Sequence, residues 1–208
     1  GRLLRPPPCV PRAARAGTIA VTGACAVLRV DGRAVDTRMT PETSILDAEL
    51  ERDFVRRLSP ESKRCRFLGA PRDLSPEELR RFCEIDGHRS MAFVATIDEG
   101  GETRMIGVSR YAPNSEGSDR EIAITVADDW QKRGLGTCLA KKLIRHARQH
   151  GVEKLYSIDL ADNTHMSSLA RDLGMEAAPD PQVAYLVVYS QKQADSPQVP
   201  GQEPGQWQ

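Results

Sequence analysis

The residues best suited to chemistry stand together in Asp128-Asp129-Trp130-Gln131-Lys132-Arg133-Gly134-Leu135-Gly136-Thr137. Closely spaced glycines ahead of a helical pattern make a cradle for anions. Helix-initial N–H groups point outward there, the helix dipole favours negative charge, and glycine lets a ligand approach the backbone. Lys132 and Arg133 add positive charge beside that cradle. The expected ligand therefore carries phosphate. Two familiar phosphate loops fail on spacing. A Walker loop needs Gly, four residues, then Gly-Lys-Ser/Thr, and no such run occurs. The dinucleotide fingerprint needs a third glycine three residues after Gly136, where Leu139 stands.

The loop must be held by what flanks it. Before it, Glu121 to Val126 alternates as a strand, with Ile122, Ile124 and Val126 on one face and Glu121, Ala123 and Thr125 on the other. After it, Leu135, Leu139, Leu143 and Ala147 recur at helical spacing and predict a helix from Leu135 to about His150, anchored in the core. A second strand pattern follows at Lys154 to Asp159. Then comes Asn163-Thr164-His165-Met166-Ser167-Ser168-Leu169, closing on Leu173-Gly174-Met175.

In that order, Gln131-x-x-Gly134-x-Gly136 and the Asn163 segment resemble the two signature segments of the GNAT acetyltransferases, over roughly Ala34 to Ser190. The resemblance implies an α/β (α+β) fold: a mixed, mostly antiparallel sheet, flanked by helices and splayed where acetyl-CoA lies. It also implies acetyl-CoA as cosubstrate, with the pyrophosphate on Gln131, Lys132, Arg133, Gly134, Leu135, Gly136 and Thr137. Main-chain groups of Ile124, Thr125 and Val126 would meet the acetyl carbonyl and the pantetheine arm, and Asn163 would also meet that arm. An N–H aimed at the thioester oxygen stabilises the charge that develops in the transition state. Lys132, Arg133 and Lys141 are alternatives for the 3′,5′-ADP end.

Glu121 has two readings. It is either an exposed strand start paired with Arg120 or Arg110, or a general base. A lysine amine, with a reference pKa of about 10.4, arrives protonated and cannot attack a thioester. A carboxylate with a raised pKa in a partly desolvated cleft can take that proton, and the resemblance assigns this role to Glu121. Glu116 and Asp119 are fallbacks in a Gly/Ser-rich loop. Many family members carry a Tyr acid where this chain has Ala170, which leaves the thiolate to depart unassisted or with Tyr156 or Ser157 as donor. Met175 stands where the family usually has Phe, a change that packing tolerates.

Upstream, Val27 to Val30 and Arg33 to Met39 read as strands about an Asp31-Gly32 turn. Thr40-Pro41-Glu42 opens a helix to about Leu58, which Ser59-Pro60-Glu61-Ser62 breaks. Ser75-Pro76-Glu77-Glu78 is a capping box opening another. Phe54 to Ser62 together with Leu74 to Leu79 resembles the acetyltransferase domain of bacterial Pat-type protein lysine acetyltransferases, which implies a protein lysine as the preferred acceptor. A small amine or amino acid is the alternative acceptor, and a non-catalytic acetyl-CoA-binding module the alternative function. Met91 to Asp98 and Met105 to Tyr111 form a hairpin, and Ala184 to Ser190 the last strand.

Residues 1–26 are expected as an Arg- and Pro-rich tail, 27–190 as the acetyltransferase domain, and 191–208 as a Gln/Pro/Gly-rich tail. Zero formal net charge predicts no nucleic-acid or anionic-membrane partner. No apolar run is long enough to span a membrane. Five cysteines without a CxxC pair suit a reduced, cytoplasmic protein. Cys138, near a helix start, is read as small-residue packing rather than a reactive thiol. His88, His146, His150 and His165 make no metal set, so no metal is expected.

Overall fold

The computed structural model describes residues 25–30, 33–39, 45–69, 74–83, 85–86, 89–113 and 119–193. Both expected tails (apart from their inner ends), the Asp31-Gly32 turn, the Thr40-Pro41-Glu42 helix opening, His88 and Glu116 lie outside them.

In chain order the elements are β1 (Cys25–Val30), β2 (Arg33–Met39), α1 (Ile45–Arg57), α2 (Pro60–Arg66), α3 (Pro76–Cys83), β3 (Met91–Glu99) and β4 (Glu102–Pro113). Then follow β5 (Arg120–Val126), α4 (Leu135–Gln149), β6 (Lys154–Leu160), α5 (Thr164–Asp172), β7 (Glu176–Pro179) and β8 (Leu186–Lys192). The strands form one sheet in the order β1-β2-β3-β4-β5-β6-β8-β7. Every pairing is antiparallel except β5 with β6. The sheet begins at Cys25 and ends at Lys192, rather than at the expected residues 27 and 190.

Two elements differ from expectation. Ser59-Pro60-Glu61 ends α1 and at once begins α2, with Ser59 as N-cap accepting from the Ser62 N–H at 3.1 Å. The same residues that terminate a helix are good initiators: a capping hydroxyl, proline at the first position and an acid in the first turn. Strand β7 has no apolar alternation and exists because β8 supplies a partner edge.

Helix α4 lies on one face of the sheet and α1 on the other. Gly107 of β4 lets α4 approach closely, since a Cβ there would stand 3.0 Å from Leu139 Cδ1. Ser109 donates to Leu139 O at 3.2 Å, and Tyr111 Oη lies 3.0 Å from His146 Nδ1. The alternate residue Arg110 meets Glu51 of α1 at 2.9 Å. Register opposes Val126, Ile124 and Ile122 to Gly107, Ser109 and Tyr111. The apolar face of β5 is therefore the α4 face, and Glu121, Ala123 and Thr125 point to the α1 side. Leu135, Leu139, Leu143 and Ala147 are all buried, which fixes the start of α4 against the sheet.

Candidate functional site

Between β5 and α4 the chain makes a short turn, Asp128–Trp130, whose Trp130 ring is buried. Lys132 and Gly134 then take left-handed φ of 58° and 83°. Gly134 is the N-cap of α4 and makes no side-chain cap bond, and the first backbone bond runs from the Cys138 N–H to Gly134 O at 3.0 Å. The N–H groups of Leu135, Gly136 and Thr137 thus point out of the helix end. They face a cavity of about 730 Å³, with Lys132, Gly134, Gly136 and Thr137 on its wall. A Cβ on Gly134 would meet nothing within 4 Å, and one on Gly136 only Val126 Cγ2 at 3.6 Å. The space in front of the helix is open.

Two of the loop's expected residues are not brought to the wall by their side chains. Arg133 lies over the Trp130 ring at 5.3 Å, and Leu135 is buried in the core. Lys141 is exposed and off the wall, so Lys132 is the cation of the three weighed that lines the cavity. Gln131 lines it too, and its amide donates to Ser62 Oγ at 3.1 Å and Val126 O at 3.2 Å.

Those contacts tie the loop to α2, which buries none of its residues and is held by polar bonds. Asp128 accepts from the Ser59 N–H at 2.9 Å and from the Ser59 and Ser62 hydroxyls at 2.7 Å. Desolvation pushes the Asp128 pKa up, but these donors outweigh it and leave the pKa below the usual aspartate value. At its other side α2 reaches the β6–α5 turn through Arg64, 3.0 Å from Asp162. The helix bridges both banks of the cavity.

The cavity exists because β5 and β6 part. Their parallel pairing consists of Arg120 with Leu155 and Glu121 with Tyr156, and the strands diverge beyond. Ile122 to Val126 and Ser157 to Asp159 line the wedge. Glu121 sits at its apex, exposed to the cavity and without a hydrogen bond among the described residues. Partial burial raises its pKa, the Arg66 charge opposes that, and Asp159 adds to it. Arg110 is engaged with Glu51 and Arg120 donates to Asp119 O at 3.1 Å, whereas Arg66 of α2 is the cation that acts on Glu121. Asp119 is paired with Lys154 at 3.0 Å and is not on the wall.

On the β6 bank of the same cavity, Asp159 accepts from Ser157 Oγ at 2.5 Å and from Asn163 Nδ2 at 3.4 Å. Burial raises the Asp159 pKa, while Ser157, Asn163 and Arg66 lower it. Asn163 caps α5, its Oδ1 accepting from the Met166 N–H at 3.1 Å, which turns its amide nitrogen toward Asp159. Thr125 Oγ1 is buried in the wall without a hydrogen-bond partner among the described residues. Of the two donors weighed for the missing Tyr, Ser157 lines the cavity and Tyr156 does not; Ala170 is buried.

Asp159 and Arg66 are the wall residues that sequence reasoning missed. Period-two spacing puts Asp159 on the same side of β6 as Ser157, and that signal was available; nothing local marked Arg66. Burial raises the Cys138 thiol pKa, against the nearby Lys142, Lys141 and Arg145, so it is a packed thiol. His146 and His150 stack with centroids 3.8 Å apart, and no group of three potential metal ligands occurs among the described residues. No described helix is long and apolar enough to cross a membrane.

The acetyltransferase (GNAT) family model matches residues 54–175. An acetyltransferase of Pseudomonas aeruginosa is 42% identical over 159 residues, which cover 76% of this chain and 84% of that protein. Acetyltransferase Pat of Mycolicibacterium smegmatis is 34% identical over 83 residues, 39% of this chain and 25% of that larger protein. Among solved structures, the GNAT domain of S. lividans PAT superposes with a TM-score of 0.71 at 23% identity, covering 84% of this chain and 99% of that one. Sheet order, strand splay, outward-facing helix start and family match agree, and the chain belongs to the GNAT family of acetyltransferases.

Proposed function

We propose that this acetyltransferase moves an acetyl group from acetyl-CoA directly to a primary amine, with a protein lysine as the preferred acceptor and Glu121 as general base. The observation that carries the proposal is the place of Glu121, at the apex of the wedge where β5 and β6 part. Its raised pKa suits a base that must accept a proton from an ammonium group. At the far end of the same cavity stand the outward N–H groups of α4 and Lys132, which suit a pyrophosphate. The pantetheine arm would lie between, along Ile124, Thr125 and Val126 and beside Asn163, and the unpartnered Thr125 Oγ1 offers it a hydrogen bond.

In the reaction Glu121 takes a proton from the ammonium, the freed nitrogen pair adds to the thioester carbonyl carbon, and the C–S bond breaks, with the second proton that the nitrogen sheds in becoming an amide passing to the departing sulfur or to solvent. Coenzyme A leaves as a thiolate, which its pKa near about 8.5 permits without a strong acid. The lysine preference rests on the Pat resemblance and its α2–α3 segments. The free thiols of Cys65 and Cys138 suit a reducing compartment such as the cytoplasm.

The test is thiol release from acetyl-CoA by wild type and Glu121→Gln, over a panel of lysine-bearing proteins and small amines. The variant should still bind coenzyme and should lose about 10²–10⁴-fold in turnover. Turnover on small amines alone would transfer the acceptor assignment to them. Tight acetyl-CoA binding with no release on any acceptor would point instead to a non-catalytic acetyl-CoA-binding module, the reading that Ala170 in place of Tyr favours.

A further inference from the structure

Given an amine acceptor, as proposed above, we infer that Asp159 is a second acceptor-binding carboxylate, gripping the incoming ammonium across the wedge from Glu121. The two acids stand on diverging strands: Glu121 is the last residue of β5 paired with β6, and Asp159 lies three residues beyond its partner Tyr156 on β6. Both line the same cavity, with Arg66 of α2 acting on each.

Asp159 is prepared for this role from behind. Ser157 Oγ donates to Oδ2 at 2.5 Å and Asn163 Nδ2 reaches Oδ1 at 3.4 Å. The Asn163 amide is itself fixed, because its oxygen holds the Met166 N–H at the start of α5. An ionised carboxylate has about four acceptor positions, so two donors leave room for a third facing the cavity. A structural carboxylate would need no such opening.

The charges make the same point. Two carboxylates sharing a cleft normally cannot both ionise, and one keeps a proton. Arg66 opposes the rise of both pKa values, and the other charges beside it, Arg110 and Glu51, are paired with each other. With both acids ionised, one positive and two negative charges leave the cluster one short of neutral. The neighbouring acids Glu61 and Asp162 are occupied by Arg64 at 2.8 and 3.0 Å. An ammonium ion is therefore the complement of the Arg66–Glu121–Asp159 cluster. It would sit with one N–H toward Asp159 and another toward Glu121, and the proton that must leave before the nitrogen can attack is the one facing Glu121. Asp159 keeps its charge throughout and holds the amine in place.

The experiment titrates the coenzyme A-saturated protein with Nα-acetyl-lysine amide and with its uncharged analogue Nα-acetyl-norleucine amide, followed by NMR. Wild type should favour the lysine probe. Asp159→Asn should weaken that probe by about ten- to hundredfold, the value of one charge-assisted hydrogen bond, and leave the norleucine probe unchanged. Ser157→Ala keeps the charge but frees it to move, and should give a smaller loss; it also serves if Asp159→Asn fails to fold. In steady state Asp159→Asn should raise acceptor KM and spare kcat, the opposite of Glu121→Gln. Equal affinity for both probes in wild type, or full lysine-probe affinity in Asp159→Asn, would overturn the role of Asp159. With Glu121-dependent acetylation of amines intact, either result would leave the proposed function standing. Absence of amine-dependent thiol release would remove the amine reading itself.

Discussion

Gly136→Ala should separate stability from coenzyme binding in opposite directions. Gly136 is the second residue of α4 and does not have a left-handed φ, so alanine fits its backbone. The added Cβ would meet only Val126 Cγ2 at 3.6 Å, an ordinary contact. Replacing glycine by alanine in a helix gains roughly 0.5–1 kcal/mol, and the lower end applies in a first turn. For a chain of this size that raises the melting temperature by about 1–2 °C. The same methyl group stands before the outward N–H groups of Gly136 and Thr137. A pyrophosphate lying there loses one close charged hydrogen bond, worth about 1.5–3 kcal/mol, or about ten- to hundredfold in affinity. Thermal melting without ligand and calorimetry with coenzyme A read the two effects separately. A higher melting temperature with unchanged affinity would show that the phosphates do not lie against the first turn of α4. A lower melting temperature would refute the account of the helix itself.

Gly107→Ala should destabilise by about 1–3 kcal/mol, because its Cβ would press on Leu139 Cδ1 at 3.0 Å and Thr125 O at 3.4 Å; an unchanged denaturation midpoint would show that α4 can move away. Asp128→Ala should lower stability at neutral pH by about 1 kcal/mol after solvent screening, through the loss of the Ser59 and Ser62 bonds that hold α2. The folded Asp128 pKa is depressed, so its stabilisation is present above the unfolded value and lost as pH falls through the folded one; melting of variant and wild type should converge in acid. Glu121 has the opposite sign. Its raised pKa means that its favourable contribution is complete below the unfolded value and lost as pH rises through the folded value, so Glu121→Gln should melt slightly higher than wild type at neutral pH. The rise of kcat/KM with pH should follow the same group, and Arg66→Met, which removes the charge opposing its protonation, should move that rise to higher pH.

The sequence was most legible where one element's own periodicity decided the answer. The alternation of Ile122, Ile124 and Val126 against Glu121, Ala123 and Thr125 named the two faces of β5, and the register with β4 placed α4 over the first set. The stripe Leu135, Leu139, Leu143, Ala147 named the buried side of α4 in the same way. Helix α2 left no such trace, because it buries nothing and is held by Asp128, Gln131 and Asp162 from distant parts of the chain. Arg66 was illegible for the same reason: its importance comes from α2 reaching Glu121, whereas the period-two spacing of Asp159 with Ser157 was a signal the sequence did carry. The choice between Tyr156 and Ser157 turned on which side of β6 faces the wedge, and strand periodicity says only that they differ.

The splay itself has no sequence signature, yet it gives a physical reason why a ligand with amide groups would suit the site. Pairing between β5 and β6 stops at Glu121 and Tyr156, so the edge of β5 from Ile122 onward faces a cavity instead of a neighbouring strand. A buried strand edge carries donors and acceptors that must be met by something. Gln131 meets one of them, giving its amide to Val126 O at 3.2 Å. Thr125 Oγ1, on the same stretch, has no partner. An extended arm carrying amides, as pantetheine does, could complete that edge much as an added strand would, and in the proposed arrangement the helix dipole of α4 would meet the phosphates at the arm's far end. On this reasoning a ligand without the pantetheine amides should lose more affinity than its contact area alone predicts, because it leaves the opened edge of β5 unpaired.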